Sequence, residues 1–203
     1  LVEEMNNVYG NASSIHQTGR IARKKLDDAR RILAQSIGAQ EIEITITSGG
    51  TEADNYALFG TAYARKAIGK HIITTQIEHH AILHACQQLE KEGFEITYLP
   101  VDETGLISID DLKNALRQDT ILVSIMFANN EVGTIQTIKE IGNLLKDHQA
   151  YFHTDAVQAY GSVSIDVKET YIDLLSVSSH KINGPKGIGF LYIDDHVKFK
   201  PIV

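Results

Sequence analysis

The run Ile121-Leu122-Val123-Ser124-Ile125-Met126-Phe127 constrains this chain more than any other segment. It is apolar without alternation, the pattern of a strand buried on both faces, and such a strand needs helices covering either side. The flanking sequence supplies them. Residues 13–37 read as a helix, with Ile21, Ala22, Leu26, Ala29, Ile32 and Leu33 at helical spacing and Gly38 as a stop. Ile42, Ile44 and Ile46 alternate with polar residues as in a strand. After the turn Ser48-Gly49-Gly50-Thr51 a second helix runs to about residue 68. Strands at 71–75 and 95–99 flank a helix at 81–91, which Gly93 ends. Ser108 with Asp111 resembles a capping box before a short helix. Residues 137–145 are helical, and 150–153, 174–178 and 187–193 read as further strands. This alternation predicts an α/β fold in three layers, α/β/α, on a mostly parallel sheet, with ligands beyond the carboxyl ends of the strands.

At 203 residues, enough for one large domain or two small ones, the chain can bury a substantial core without staples. Its single cysteine, Cys86, excludes an internal disulfide, so a reducing, cytoplasmic setting is expected. The net charge of -7 lacks the basic excess of a nucleic-acid binder. No apolar run reaches the ~18 residues of a membrane span. Neither nucleic acid nor membrane is therefore an expected partner. Leu1-Val2-Glu3-Glu4-Met5 reads as the middle of a helix, and residues 198–203 close no element. Both ends read as cut.

Several strand ends carry residues suited to chemistry. Thr47-Ser48-Gly49-Gly50-Thr51-Glu52 joins a strand to a helix. Its glycines let backbone approach an anion, the helix start offers free N–H groups, and Thr51 adds a hydroxyl. The segment lacks P-loop spacing, and it also fits a plain glycine turn. Asp155 follows the strand Tyr151-Phe152-His153, with Gln158 three residues on. The acid suits a protonated ring nitrogen and Gln158 a neighbouring ring oxygen; a helix N-cap aspartate fits the same spacing. Ser178-Ser179-His180-Lys181 follows another strand, ahead of Gly184, Pro185, Gly187 and Gly189. A lysine among donors, partly desolvated, is an amine able to attack a carbonyl, whereas Lys186 reads as an ordinary loop lysine. Asn130, in the turn Asn129-Asn130-Glu131, is both a turn former and a possible carboxylate donor. His79, His80 and His84 lack the glutamate of a zincin helix and a third ligand at suitable spacing, so no metal is expected. Cys86 shares a helix face with Ile82 and Leu89, the pattern of a structural core thiol.

In their order along the chain these segments resemble the NifS-type cysteine desulfurases, in the class V aminotransferase group of fold-type-I pyridoxal-phosphate enzymes. The resemblance runs through nearly the whole chain. It is carried by Gly10-Asn11-Ala12-Ser13-Ser14-Ile15-His16, Thr47-Ser48-Gly49-Gly50-Thr51-Glu52-Ala53-Asp54-Asn55, Glu78-His79, Asn129-Asn130-Glu131-Val132-Gly133, His153-Thr154-Asp155-Ala156-Val157-Gln158 and Ser178-Ser179-His180-Lys181-Ile182-Asn183-Gly184-Pro185-Lys186-Gly187. The last is the most specific.

The resemblance implies that residues 1–203 are the large, cofactor-binding domain of that fold, with pyridoxal 5'-phosphate as cofactor. Lys181 would hold it as a Schiff base and move protons at the substrate α-carbon. Asp155 would pair with the pyridinium nitrogen. His79 would stack on the ring and act in acid–base steps, and Gln158 would contact the ring hydroxyl. Gly50, Thr51, Ser178 and His180 would bind the phosphate, and Asn130 would lie near the substrate carboxylate. Ala12 stands where the family usually has proline. The family's catalytic cysteine, the arginine that clamps the substrate and a phosphate contact lent across the dimer belong to a C-terminal portion absent here, and Cys86 does not match that cysteine. The parent enzyme so implied is a homodimer that converts L-cysteine to L-alanine. It passes the sulfur through an enzyme persulfide to an acceptor or scaffold protein, for iron–sulfur cluster assembly or tRNA thiolation. The chain alone is expected to fall short of that full cycle. Selenocysteine lyase or another class V enzyme, a non-catalytic fragment, and a nucleotide-binding domain resting on the glycine turn alone are competing readings.

Overall fold

A computed structural model describes residues 2–201. Leu1, Ile202 and Val203, parts of the two ends read as cut, lie outside them. Strands and helices alternate: α1 (Val2–Asn7), α2 (Gln17–Gln35), β1 (Ile44–Thr47), α3 (Gly50–Arg65), β2 (His71–Thr75), α4 (His80–Lys91), β3 (Glu95–Leu99), α5 (Ile109–Ala115), β4 (Thr120–Ser124), α6 (Ile138–Leu145), β5 (Tyr151–Asp155), β6 (Leu174–Ser178) and β7 (Gly189–Ile193). The strands form one seven-stranded sheet in the order β1-β7-β6-β5-β4-β2-β3. Only β7 runs against its neighbours, β6 and β1; the pairs β6/β5, β5/β4, β4/β2 and β2/β3 are parallel. The carboxyl ends of β1, β2, β4, β5 and β6 therefore reach one edge of the sheet, where β7 begins.

The three layers follow from the two-residue period of a strand. Ile72, Leu122, Tyr151 and Leu174 pack on one face with Ala53, Ala57 and Leu58 of α3 and Ile82, Cys86 and Leu89 of α4. Their successors Ile73, Val123, Phe152 and Leu175 point to the other face, onto Ala34 of α2, Leu112 of α5 and Ile141 and Leu145 of α6. Every residue of β2, β4, β5 and β6 is buried. Each such large apolar side chain contributes about 1.5–3 kcal/mol.

Several boundaries differ from the sequence reading. The helix expected from residue 13 starts at Gln17, because Asn11 bends the chain by accepting the Ser13 N–H at 2.9 Å on its side chain and the Ser14 N–H at 2.9 Å on its carbonyl. Its apolar residues are largely uncovered: Ile21 is 47% and Ile32 67% exposed, while only Gly19 and Ala34 are buried. Ile42, expected in a strand, sits 84% exposed in a 3-10 turn, Glu41–Glu43, fixed by a capping box between Gln40 and Glu43. β1 begins only at Ile44. The helix expected to reach 68 ends at Arg65, whose carbonyl accepts the N–H groups of Ile68 and Gly69 in a turn. The 121–127 run forms β4 and then continues beside β5, with Ile125 and Phe127 N–H groups donating to the carbonyls of His153 and Asp155. That extension carries the chain past the end of β5 and into the site.

Candidate active site

At the carboxyl edge of the sheet lies a cleft of about 250 Å³. Gly50, Thr51, His79, Asn130, Asp155, Gln158, Ser178, His180 and Lys181, the candidates read from the sequence, all line it. Asp54, Met126, Ala128 and Val157 complete the wall. A larger cavity of about 510 Å³, around Arg65, Tyr151 and Asp194, lies at the opposite end of the strands and contains none of them. Chemistry therefore points to the smaller one.

One corner is built from main chain. Gly49 holds φ +152°, a region that side chains avoid. A Cβ on Gly50 would lie 2.7 Å from Val157 Cγ2. Among the described residues no side chain caps the start of α3. The acid of its first turn, Glu52, is engaged instead by the Ser48 N–H at 2.5 Å and hydroxyl at 2.6 Å, which hold its carboxyl below the usual carboxylate range. From the end of β6, Ser178 Oγ lies 3.7 Å from the place a Cβ of Gly49 would occupy, and it hydrogen-bonds His180 Nδ1 at 2.7 Å. An uncapped helix start, two close-approach glycines, hydroxyls and an imidazole fit a phosphate dianion.

The opposite wall is acidic. Asp155 is 6% exposed, its Oδ1 accepts the Val157 N–H at 2.9 Å, and burial raises its carboxyl above the ordinary range. Glu78 lies beneath it, with Oε1 accepting from Thr75 Oγ1 at 2.8 Å and from the Met126 N–H at 2.9 Å. Its Oε2 has no partner among the described residues, and burial pushes its carboxyl up to about 8. Asp54, also buried, is raised by burial and by Asp155. A floor of buried carboxyls fits a ligand that carries a proton on a ring nitrogen.

The remaining candidates stand at the mouth. His79 is the N-cap of α4: its Nδ1 accepts the Ala81 N–H at 3.1 Å, which places the neutral ring's proton on Nε2. Asn129, not Asn130, makes the turn, its Oδ1 accepting from the N–H groups of Glu131 and Val132. Asn130 is exposed and donates to Glu131 Oε1 at 2.6 Å. Gln158 is half-buried. Lys181 lies in the 3-10 turn Ser179–Ile182, closed by Asn183 at φ 61°. It is exposed, so the partial desolvation expected for its amine is not found.

Asp54 escaped the sequence reading as a site residue, although it was legible as an acid on the apolar face Ala53, Ala57, Leu58, one turn after Gly50. Cys86 is fully buried and its thiol is pushed up to about 12 by burial, in keeping with a core role. His80 and His84 stack at 5.5 Å. Among the described residues, Asp194, Asp195 and His196 are the group that metal-ligand spacing brings together, away from the cleft.

The class V aminotransferase family model matches residues 1–202. The chain is 61% identical over 203 residues to a putative cysteine desulfurase IscS 1 of Bacillus subtilis, covering 100% of this chain and 54% of that protein. It is 58% identical over 199 residues to a cysteine desulfurase IscS of Methanosarcina thermophila, covering 98% and 49%. Among solved structures, a NifS-like protein superposes with a TM-score of 0.96 at 37% identity, covering 100% of this chain and 56% of that one. The structure of SspA in complex with cysteine gives 0.95 at 40%, covering 98% and 58%. The chain thus spans about half the length of the curated relatives it matches. On the match of fold, sequence and family model together, the chain belongs to the class V aminotransferase family, in its IscS and NifS cysteine desulfurase group.

Proposed function

We propose that residues 1–203 are the pyridoxal-phosphate-binding large domain of a cysteine desulfurase, the parent enzyme taking L-cysteine to L-alanine and passing its sulfur on as a persulfide. The observation that carries this is the convergence on one cleft, from the ends of β1, β5 and β6, of a main-chain anion cradle, a buried carboxyl and a lysine. The family uses pyridoxal phosphate, whose aldehyde condenses with amines and whose protonated ring withdraws electrons from the substrate α-carbon.

In this reading the start of α3 with Gly50, Thr51, Ser178 and His180 binds the phosphate. Asp155 holds the proton at the ring nitrogen, and Gln158 faces the ring hydroxyl. Lys181 Nζ supplies the amine and then moves the α-proton. His79, with Nδ1 tied to the backbone, offers Nε2–H and a ring face to the cofactor. Asn130 orients the substrate carboxylate. The parent enzyme works as a homodimer with a sulfur-acceptor or scaffold partner. No helix among the described residues is long and apolar enough to cross a membrane, and the cytoplasm suits the reduced Cys86.

Adding pyridoxal phosphate and then borohydride tests the proposal. A yellow adduct that borohydride bleaches and fixes on Lys181, and its loss in Lys181→Ala, is the expected result. An equal adduct in Lys181→Ala, or none in either protein, would leave a non-catalytic fragment as the better reading.

A further inference from the structure

The cleft floor holds a carboxyl that no step above uses. Asp54 sits on α3 one turn beyond Gly50, is 1% exposed, and lines the cleft with Asp155. Its Oδ1 is fully buried and has no hydrogen-bond partner among the described residues. A polar relay crosses the sheet beneath it. Ser124 Oγ of β4 lies 2.8 Å from His153 Nδ1, and His153 Nε2 of β5 lies 3.0 Å from Ser176 Oγ of β6. Ser176 in turn faces the Asp54 carboxyl and favours its charged form. All three relay side chains are fully buried, and burial drives the imidazole down to about 3, so His153 is neutral. With one ring proton the relay runs in either of two directions: Ser124 donates to Nδ1 and Nε2–H to Ser176, or Ser176 donates to Nε2 and Nδ1–H to Ser124, the second leaving the Ser176 oxygen free to accept from a protonated Asp54.

The charge count around Asp54 sets its state. Facing it are Asp155 from the end of β5 and Glu78 from the segment after β2, both buried. His153 lies 3.8 Å from Oδ1 but is neutral. The cleft's basic groups, His79, His180 and Lys181, are exposed at its mouth. Three carboxyls clustered in low dielectric cannot all ionise. Oδ1 is left bare, which is costly for a carboxylate, and burial with the two facing acids outweighs Ser176, the one neighbour that favours the charge.

We propose that Asp54 is a positioning residue acting through Asp155: held by the Ser124–His153–Ser176 relay, it stands uncharged at the cleft floor and leaves Asp155 as the anion presented to the cofactor's ring nitrogen. The proposal rests on the pyridoxal-phosphate reading for the ring alone.

Two measurements test it on the whole chain. Infrared spectra at neutral pH should show a protonated carboxyl C=O band that Asp54→Asn removes and Glu78→Gln does not. Pyridoxal-phosphate titrations should give Asp54→Asn, neutral and of the same shape, an affinity close to wild type. Asp54→Ala, which strands Ser176 and empties the floor, should bind roughly tenfold more weakly, the loss expected when a buried hydrogen-bond partner is removed. Unaltered affinity in Asp54→Ala, or an Asp54→Asn as weak as Asp54→Ala, overturns the proposal, the second because it would mean that the negative charge is what matters. An infrared spectrum unchanged by Asp54→Asn overturns it as well. Should Asp54→Ala not fold, Ser176→Ala takes its place: weaker binding supports the relay and unchanged binding overturns it. No uptake by the wild-type chain overturns the cofactor reading and this proposal together. Uptake by wild type that Asp54→Ala does not diminish overturns this proposal alone.

Discussion

Glu78 is buried with one oxygen bonded twice and the other bare, and its folded-state carboxyl lies near 8 against an ordinary 4.5. The raised value fixes a sign. Native Glu78 holds its proton more tightly than the unfolded chain does, so its contribution to stability is full below pH 4.5 and is lost as pH rises through about 8. Glu78→Gln keeps the acceptor for Met126 and Thr75 and cannot ionise. In urea unfolding without cofactor, wild type should weaken from pH 5 to pH 9, by an amount that grows at about 1.4 kcal/mol per unit of pKa difference at most. The variant should weaken distinctly less, and parallel curves would refute the assignment. Residues of this kind mark the limit of what the sequence discloses. Asp155 and Lys181 were legible because each follows a strand inside a recognisable motif. The protonation state of Glu78 and the site role of Asp54 were not, because both depend on neighbours brought together from α3, β5 and the segment after β2.

Among the elements, the turn between β1 and α3 shows how a strand end becomes a binding surface. Gly50 has no room for a side chain: its Cβ would meet Val157 Cγ2 at 2.7 Å, and the Val157 N–H holds Asp155 in place. Gly50→Ala should therefore disturb the anion corner and the acid wall at once. Overpacking of this kind costs typically about 1–3 kcal/mol. Pyridoxal-phosphate affinity should fall by at least the roughly tenfold that 1.4 kcal/mol represents, and a variant binding like wild type would sink that coupling. α2 teaches the opposite lesson. Its periodicity correctly announced a helix, yet spacing reports which residues share a face and not what covers that face. Ile32 and Ile42 are 67% and 84% exposed, whereas Ile141 of α6 is fully buried. Ile32→Glu and Ile42→Lys should change unfolding free energy by no more than about 0.5 kcal/mol. Ile141→Ala should cost about 2–5 kcal/mol. Of the fully buried strands, β2 and β6 were placed to the residue, whereas β4 ends at Ser124 and not at 127 and β5 runs on to Asp155 and not to 153, because an apolar run announces a buried strand without marking where its ladder stops.

For the molecule as a whole, the decisive fact is where sulfur chemistry can and cannot occur. Persulfide formation needs a thiolate able to reach a substrate in the cleft. The chain has one cysteine, Cys86. It is fully buried on α4, packed in the layer with Ile82 and Leu89 and absent from the cleft wall. Burial pushes its thiol up to about 12, so at neutral pH only roughly one molecule in 10⁵ would carry the thiolate even if substrate could reach it. The same layer that shields Cys86 positions α3 and α4, so exposing the thiol would require dismantling the walls of the site. Given pyridoxal phosphate and L-cysteine, the chain should therefore bind both and release no alanine above a control with free cofactor. A thiol reagent should leave Cys86 unmodified until the protein is unfolded. Alanine release that disappears in Cys86→Ser would show that this thiol does reach the cleft, and it would overturn the separation of cofactor binding from sulfur acceptance in this chain.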